Sequence, residues 1–181
     1  MFCSDMKNED RFKVWSGYAE ISRKWASVMD AKAGFIAAMN FGLVGFLWSG
    51  AKLADCNGLV NWSVIGSTVL SLASVIAAIS VALPRERLAS ALGSGMRWSA
   101  NYQPISYYGF VATAYNGKKF EKFRSHVDSL TYAALANEAL EQHFVLSHVV
   151  LRKAGFVKLA GIFLLLALVL TGIALILRFI A

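Results

Sequence analysis

The stretch LAGIFLLLALVLTGIALIL, residues 159–177, decides how the rest of the chain is read. It carries no charge from end to end, and its centre, FLLLALVL, is apolar on every side of a helix. A helix rises about 1.5 Å per residue, so roughly 20 residues cross the ~30 Å hydrocarbon layer of a bilayer. Backbone groups left unpaired in lipid cost several kcal/mol each, so a span must be a helix or part of a closed barrel. No period-two alternation runs through this stretch, which leaves the helix.

Working outward, residues 33–51 and 56–84 are also free of charge. The first fits the bilayer almost without surplus, although it contains Asn40. The second is longer, and its spanning part is expected near residues 60–83, with Cys56-Asn57-Gly58 as the preceding turn. Composition agrees: the chain is 57% hydrophobic and 16% charged, where a soluble domain carries about 25% charged residues. A polar, charge-rich segment precedes the first apolar run, which argues against a cleaved signal peptide.

The fold class expected is therefore an all-α membrane protein with three transmembrane helices. Its parts are a cytoplasmic amphipathic helix (1–32), spans at 33–51, 60–83 and 156–178, an outer hairpin tip (52–59) and a cytoplasmic helical region (84–155). Lysine and arginine set the orientation. Residues 1–32 carry six and residues 84–158 carry ten, whereas the hairpin tip has Lys52 alone and the tail Arg178 alone. This places the N-terminus and the middle region inside and the C-terminus outside. The net charge of +7 is then a topology signal. With no basic run or recognisable motif, a nucleic-acid partner is not expected. Cys3 and Cys56 fall on opposite sides and cannot bridge within one chain.

The first and last spans are expected to continue as long helices in the cytoplasm. Trp15, Tyr18, Ser22, Trp25 and Met29 recur at helical steps, with the tryptophans read as packing rather than as interfacial anchors. Residues 118–153 read as one amphipathic helix with a stripe of Phe120, Phe123, Val127, Leu130 and Ala134, continued by Leu140, Phe144 and Val150, and Gly155 separating it from the last span. Residues 105–115 read equally well as a short helix or a strand.

No catalytic signature is present: there is no G-x-S-x-G, H-E-x-x-H, C-x-x-C or phosphate-binding loop. His143 and His148 are five apart and point about 140° from each other on a helix. An enzyme, a metal site and a cofactor are not expected. The distinctive residues lie in the spans. Gly34, Ala38 and Gly42 recur every four residues, as do Ser63, Ser67 and Ser71. Small residues at this spacing let helices associate closely in lipid, and stacked hydroxyls can line a water-filled path. With Asn40 adding a polar group at mid-span, self-association through these faces is the expectation.

Asp30-Ala-Lys32-Ala33-Gly34 at the head of the first span, Pro84-Arg85 after the second, the aromatic segment Ile105-Ser-Tyr-Tyr-Gly-Phe110, and Gln142 to Lys153 leading into the last span follow in an order that resembles a known family. It is the transmembrane effector of Pycsar, the pyrimidine cyclase system for antiphage resistance. The likeness covers roughly residues 15–178 and departs from the pattern at Tyr107-Tyr108, where a phenylalanine pair is expected. It implies a partner nucleotide cyclase that makes cyclic CMP or cyclic UMP on infection. The effector would then impair the bacterial inner membrane and kill the cell before phage mature. Effectors of related cyclic-oligonucleotide systems share the plan. Candidate ligand residues are Arg85, Arg87 and Arg97 for phosphate and Tyr107 or Tyr108 for stacking on a base. The rival function is a ligand-independent membrane scaffold or accessory subunit.

Overall fold

The computed structural model describes residues 7–50, 58–83, 111, 115 and 119–180. Among these there is no strand. Helix α1 runs Asn8–Gly45 and is extended by a π-helical turn, Phe46–Gly50; α2 is Leu59–Ala82, α3 is Phe120–Asp128 and α4 is Tyr132–Ile180. Three of them, α1, α2 and α4, are long and apolar enough to cross a membrane. At 38 and 49 residues, α1 and α4 measure about 57 and 74 Å, so both outrun a ~30 Å hydrocarbon layer. The expected all-α architecture, with the first and last spans prolonged as helix, is what the chain forms.

Its elements differ from the reading of the sequence in one place. The amphipathic stretch 118–153 is not one helix. It breaks after Asp128, where the Ser129 hydroxyl donates to the His126 carbonyl at 2.7 Å and the Thr131 hydroxyl accepts the Ala134 N–H at 3.3 Å. Ser and Thr offer the backbone such local alternatives to helix, and Thr131 sits where the first orphan N–H groups of α4 need an acceptor. As expected, the helix runs on through Gly155, because a glycine inside a long helix costs only about 1 kcal/mol and apolar residues continue on both sides. Leu140 and Phe144, read as part of the buried stripe, are exposed.

The chain divides into two compact units: residues 24–83 with 148–181, here the spanning unit, and residues 1–23 with 84–147, here the amphipathic unit.

In the spanning unit the buried positions alternate three and four apart on every helix. On α1 with its π turn these are Ala33, Asn40 and Leu47, with half-buried Met29, Ile36 and Leu43; on α2 they are Val60, Val64, Ser67, Ser71, Ser74, Ala78 and Val81, flanked by buried Val75 and Ala77; on α4 they are Ala160, Leu164, Ala167, Thr171 and Ala174, with half-buried Val157. A 3.5-residue average repeat is the seam of a left-handed coiled coil. The seam is filled mainly by Ala, Ser and Val, while the large side chains point outward: Phe35, Trp62, Ile76 and Leu165 are all more than half exposed. This inversion suits lipid, where apolar burial gives no net drive and close backbone approach does.

Contacts fix the directions. Ala33 clusters with Ala77, Ala78, Val81 and Ala160, and Leu47 clusters with Val60, Val64 and Ala174. The spanning parts of α1 and α4 are therefore parallel, with α2 antiparallel to both. At the Ala33 end the Lys153 ammonium donates to both Asp30 carboxylate oxygens at 2.6 and 2.7 Å. Lys32, beside it, is exposed. Trp25, read from the sequence as packed, is 53% exposed. It lies 23 residues, about 35 Å, from Trp48, whose indole donates to Thr68 at 3.0 Å at the other end. Two indoles at that separation match the two aromatic belts of a bilayer. Gly58, at φ 75°, opens α2 from a backbone conformation that L side chains rarely adopt. A Cβ at Gly66 would meet the Leu170 side chain at 3.0 Å, so α2 and α4 lie close there.

In the amphipathic unit Ala19, Ser22, Ala136, Glu138 and Ala139 are buried. Tyr115 lies edge-on to Phe123 at 5.2 Å and stacks on His126 at 6.2 Å. In the first turns of α1 the Lys13 ammonium bonds Glu9 at 2.8 Å, which holds the Glu9 carboxyl below the usual range and raises Lys13. Both groups are fully exposed, so the pair contributes little to stability.

The Asp30–Lys153 bridge is expected to act as a pair. Asp30→Lys and Lys153→Asp should each lower the melting temperature of the detergent-solubilised protein, and the double exchange should recover most of the loss. A coupling of about 1 kcal/mol is expected from the double-mutant cycle.

Candidate functional site: a polar seam inside the spans

Coiled-coil seams in lipid need no polar groups, yet this one has five: Asn40, Ser67, Ser71, Ser74 and Thr171 are each at most 5% exposed. Asn40 lies eight residues, about 12 Å, beyond Lys32 and so near mid-membrane. Its Nδ2 donates to the Ile36 carbonyl and to the Ser74 hydroxyl, both at 2.8 Å. Ser74 in turn donates to the Ala160 carbonyl at 2.7 Å. One relay of hydrogen bonds thus joins α1, α2 and α4. The amide cannot be turned over, because its oxygen would then face the Ile36 carbonyl and both donated bonds would be lost.

One level along, the Ser67 hydroxyl bonds the Ala167 carbonyl at 2.8 Å and meets the Thr171 hydroxyl at 2.9 Å, while Thr171 also bonds Ala167 at 2.9 Å. Two hydroxyl protons serve three contacts, so one is shared. Between these clusters two atoms have no partner: Asn40 Oδ1 and Ser71 Oγ are buried without a hydrogen bond. An unpaired buried polar group costs about 1–3 kcal/mol.

The residues singled out from the sequence fall in four places. Ser67 and Ser71 lie on the seam, inside the chain. Ser63 is half-exposed and donates to the Leu59 carbonyl of its own helix at 3.0 Å. Gly34, Ala38 and Gly42 are exposed. At ~100° per residue, their stripe is centred about 170° from the Ala33–Asn40–Leu47 face that packs on α2 and α4. Nothing within 4 Å would meet a Cβ at Gly34 or Gly42. The candidate ligand residues Arg85, Arg87, Arg97, Tyr107 and Tyr108 lie outside the described residues.

Ser74 and Thr171 were not selected from the sequence, because a four-residue step was followed where the packing alternates three and four. The alternation Val60-Val64-Ser67-Ser71-Ser74-Ala78 was the available signal. In the amphipathic unit His143 was also passed over. Its Nδ1 is 3.0 Å from the Ser22 hydroxyl and its ring lies 5.6 Å from Tyr18, which in turn lies 5.8 Å from Trp15. Nothing in a lone histidine on a helix signals such a partner. Among the described residues no group of three or more His, Cys, Asp or Glu side chains is placed to hold a metal.

A family model, the Pycsar effector protein domain, matches residues 19–178, which takes in all three apolar helices and the whole seam. No curated protein and no solved structure matches the chain significantly.

The two kinds of seam serine should separate by mutation. Ser74→Ala strips Asn40 of its acceptor and Ala160 of its donor, and should lower stability by about 1–2 kcal/mol in detergent unfolding. Ser71→Ala removes only an unpartnered hydroxyl and should be neutral within about 0.5 kcal/mol or stabilising.

Proposed function

Because the chain belongs to the Pycsar effector family, we propose that it is the membrane-disrupting arm of an antiphage system, switched on by a cyclic pyrimidine nucleotide from a partner cyclase. The observation that carries this reading is the family match running through every span. The chain senses cyclic CMP or cyclic UMP on the cytoplasmic side of the bacterial inner membrane, breaches that membrane without catalysis, and ends the infection with the cell.

The lysine and arginine count supports the orientation, sixteen in residues 1–32 and 84–158 against two elsewhere. Parallel α1 and α4 agree with it, since the lysine-rich entries to both spans then share one side. Arg85, Arg87 and Arg97 supply cations for the phosphate, and Tyr107 and Tyr108 supply faces on which a base stacks. The signal can shift the spans only by binding one arrangement of the protein more tightly than the other.

Copies of the chain associate through Gly34, Ala38 and Gly42. An exposed small-residue stripe opposite the chain's own packing face supports this, since such stripes give close helix contact in lipid.

Supplying cyclic CMP or cyclic UMP to cells making the protein should admit a membrane-impermeant dye, and one of the two should raise the melting temperature of the purified protein. If neither nucleotide does either, a ligand-independent scaffold is the better description. Gly42→Leu should abolish cross-linking between copies and the dye entry. The melting temperature of the protomer should stay within a few degrees, because the added side chain meets nothing in its own chain.

A further inference from the structure

We infer that the aqueous path opened by the signal runs along the seam inside each bundle, with Asn40, Ser67, Ser71, Ser74 and Thr171 turned from one another to water. This rests on the membrane-disrupting reading above and names the residues that carry it out.

Three observations lead there. The first is the unmet hydrogen-bonding capacity of the closed bundle. Asn40 Oδ1 and Ser71 Oγ are fully enclosed with no partner, on facing helices. Ser71 lies one seam position from Ser74, the residue that Asn40 bonds. Water is the ligand these two atoms lack, and each could accept from it.

The second is that the alternative faces are mainly apolar, with Ser63 and Ser80 bonded back to their own helix. The outer side of α2 presents Val69, Leu72, Ile76 and Ile79, and the outer side of α1 presents Phe35, Met39 and Phe41 beside its glycines. A path between copies on the glycine face would be lined by hydrocarbon.

The third is that the seam is held by few and modest bonds. Parting it breaks the Asn40–Ser74–Ala160 relay and the Ser67–Thr171–Ala167 group. The same step hydrates the two orphaned atoms and the released hydroxyls. Net hydrogen-bond contributions are of the same order as the penalty for leaving a buried group unmade. A ligand that binds the open arrangement more tightly than the closed one can choose between them. Because the parting side chains are mostly small, little outward movement of α1 is needed to admit a file of water.

Substituted-cysteine labelling tests this in cells. In a background with Cys3→Ser and Cys56→Ser, the positions compared are Ser71→Cys on the seam, Ala38→Cys on the glycine face and Leu72→Cys toward lipid. Ser71 is chosen because its hydroxyl makes no bond that the substitution would lose, and Ser67→Cys serves as a second seam position. The probe is a charged methanethiosulfonate, with dye entry recorded in the same culture. The expected result is no labelling of Ser71→Cys at rest and a several-fold rise after cyclic CMP or cyclic UMP, with Leu72→Cys unlabelled throughout. Dye entry with labelling at Ala38→Cys and not at the seam would place the path between copies and overturn the inference. Dye entry with no labelling anywhere would point to a lipid defect and overturn it equally. Absence of dye entry with either nucleotide would remove the functional reading, and this inference with it.

Discussion

The relay from the Ile36 carbonyl through the Asn40 amide and the Ser74 hydroxyl to the Ala160 carbonyl is the contact on which the arrangement of the spans depends. Inside a bilayer, apolar side chains gain nothing by leaving lipid for one another, so the hydrophobic effect does not choose between helix pairings. Packing and directional bonds choose instead. Here a single relay specifies both partners of α1 and, because Asn40 must meet Ser74 and Ser74 must meet Ala160, the depth at which all three helices sit. The cost is a carbonyl oxygen and a neighbouring hydroxyl left without partners.

The bundle is also arranged so that size and polarity separate by face. Hydroxyls and alanines dominate the seam, and the rings and most of the large branched chains are exposed. The Asp30–Lys153 bridge lies at one end of the bundle and the indole of Trp48 at the other, groups of the kind that suit the border between headgroups and hydrocarbon. Seam, boundary and outer surface each draw on a different physical term, and these terms do not compete for the same residues.

Much of this was legible in the sequence because charge is expensive in lipid. Each of the three uncharged stretches overlaps one of the three long apolar helices. The seam was only half legible. Ser67, Ser71 and Asn40 stood out as small or polar residues in apolar runs, but a four-residue step took Ser63 for a member and left Ser74 and Thr171 out. A glycine stripe looks the same whether it faces a neighbouring helix or lies bare, so Gly34, Ala38 and Gly42 could be grouped with the serines although they lie on the far side of their helix. The break at Ser129-Leu130-Thr131 carried neither proline nor glycine, and the pairing of His143 with Ser22 joins residues too distant in sequence for any local pattern to register.

Helix α4 passes through Gly155 without interruption, so its backbone is one hydrogen-bonded column from Tyr132 to Ile180. Such a column bends more readily than it untwists, and the azimuth of a side chain near its start fixes the azimuth of every later one. About 100° separates successive residues, so a fraction of a turn about the long axis would carry Thr171 off the seam and bring Leu170 or Gly172 toward it. Within the spanning unit, a turn of the helix at Lys153, where it is bridged to Asp30, would be felt at Thr171 about 27 Å along the same column.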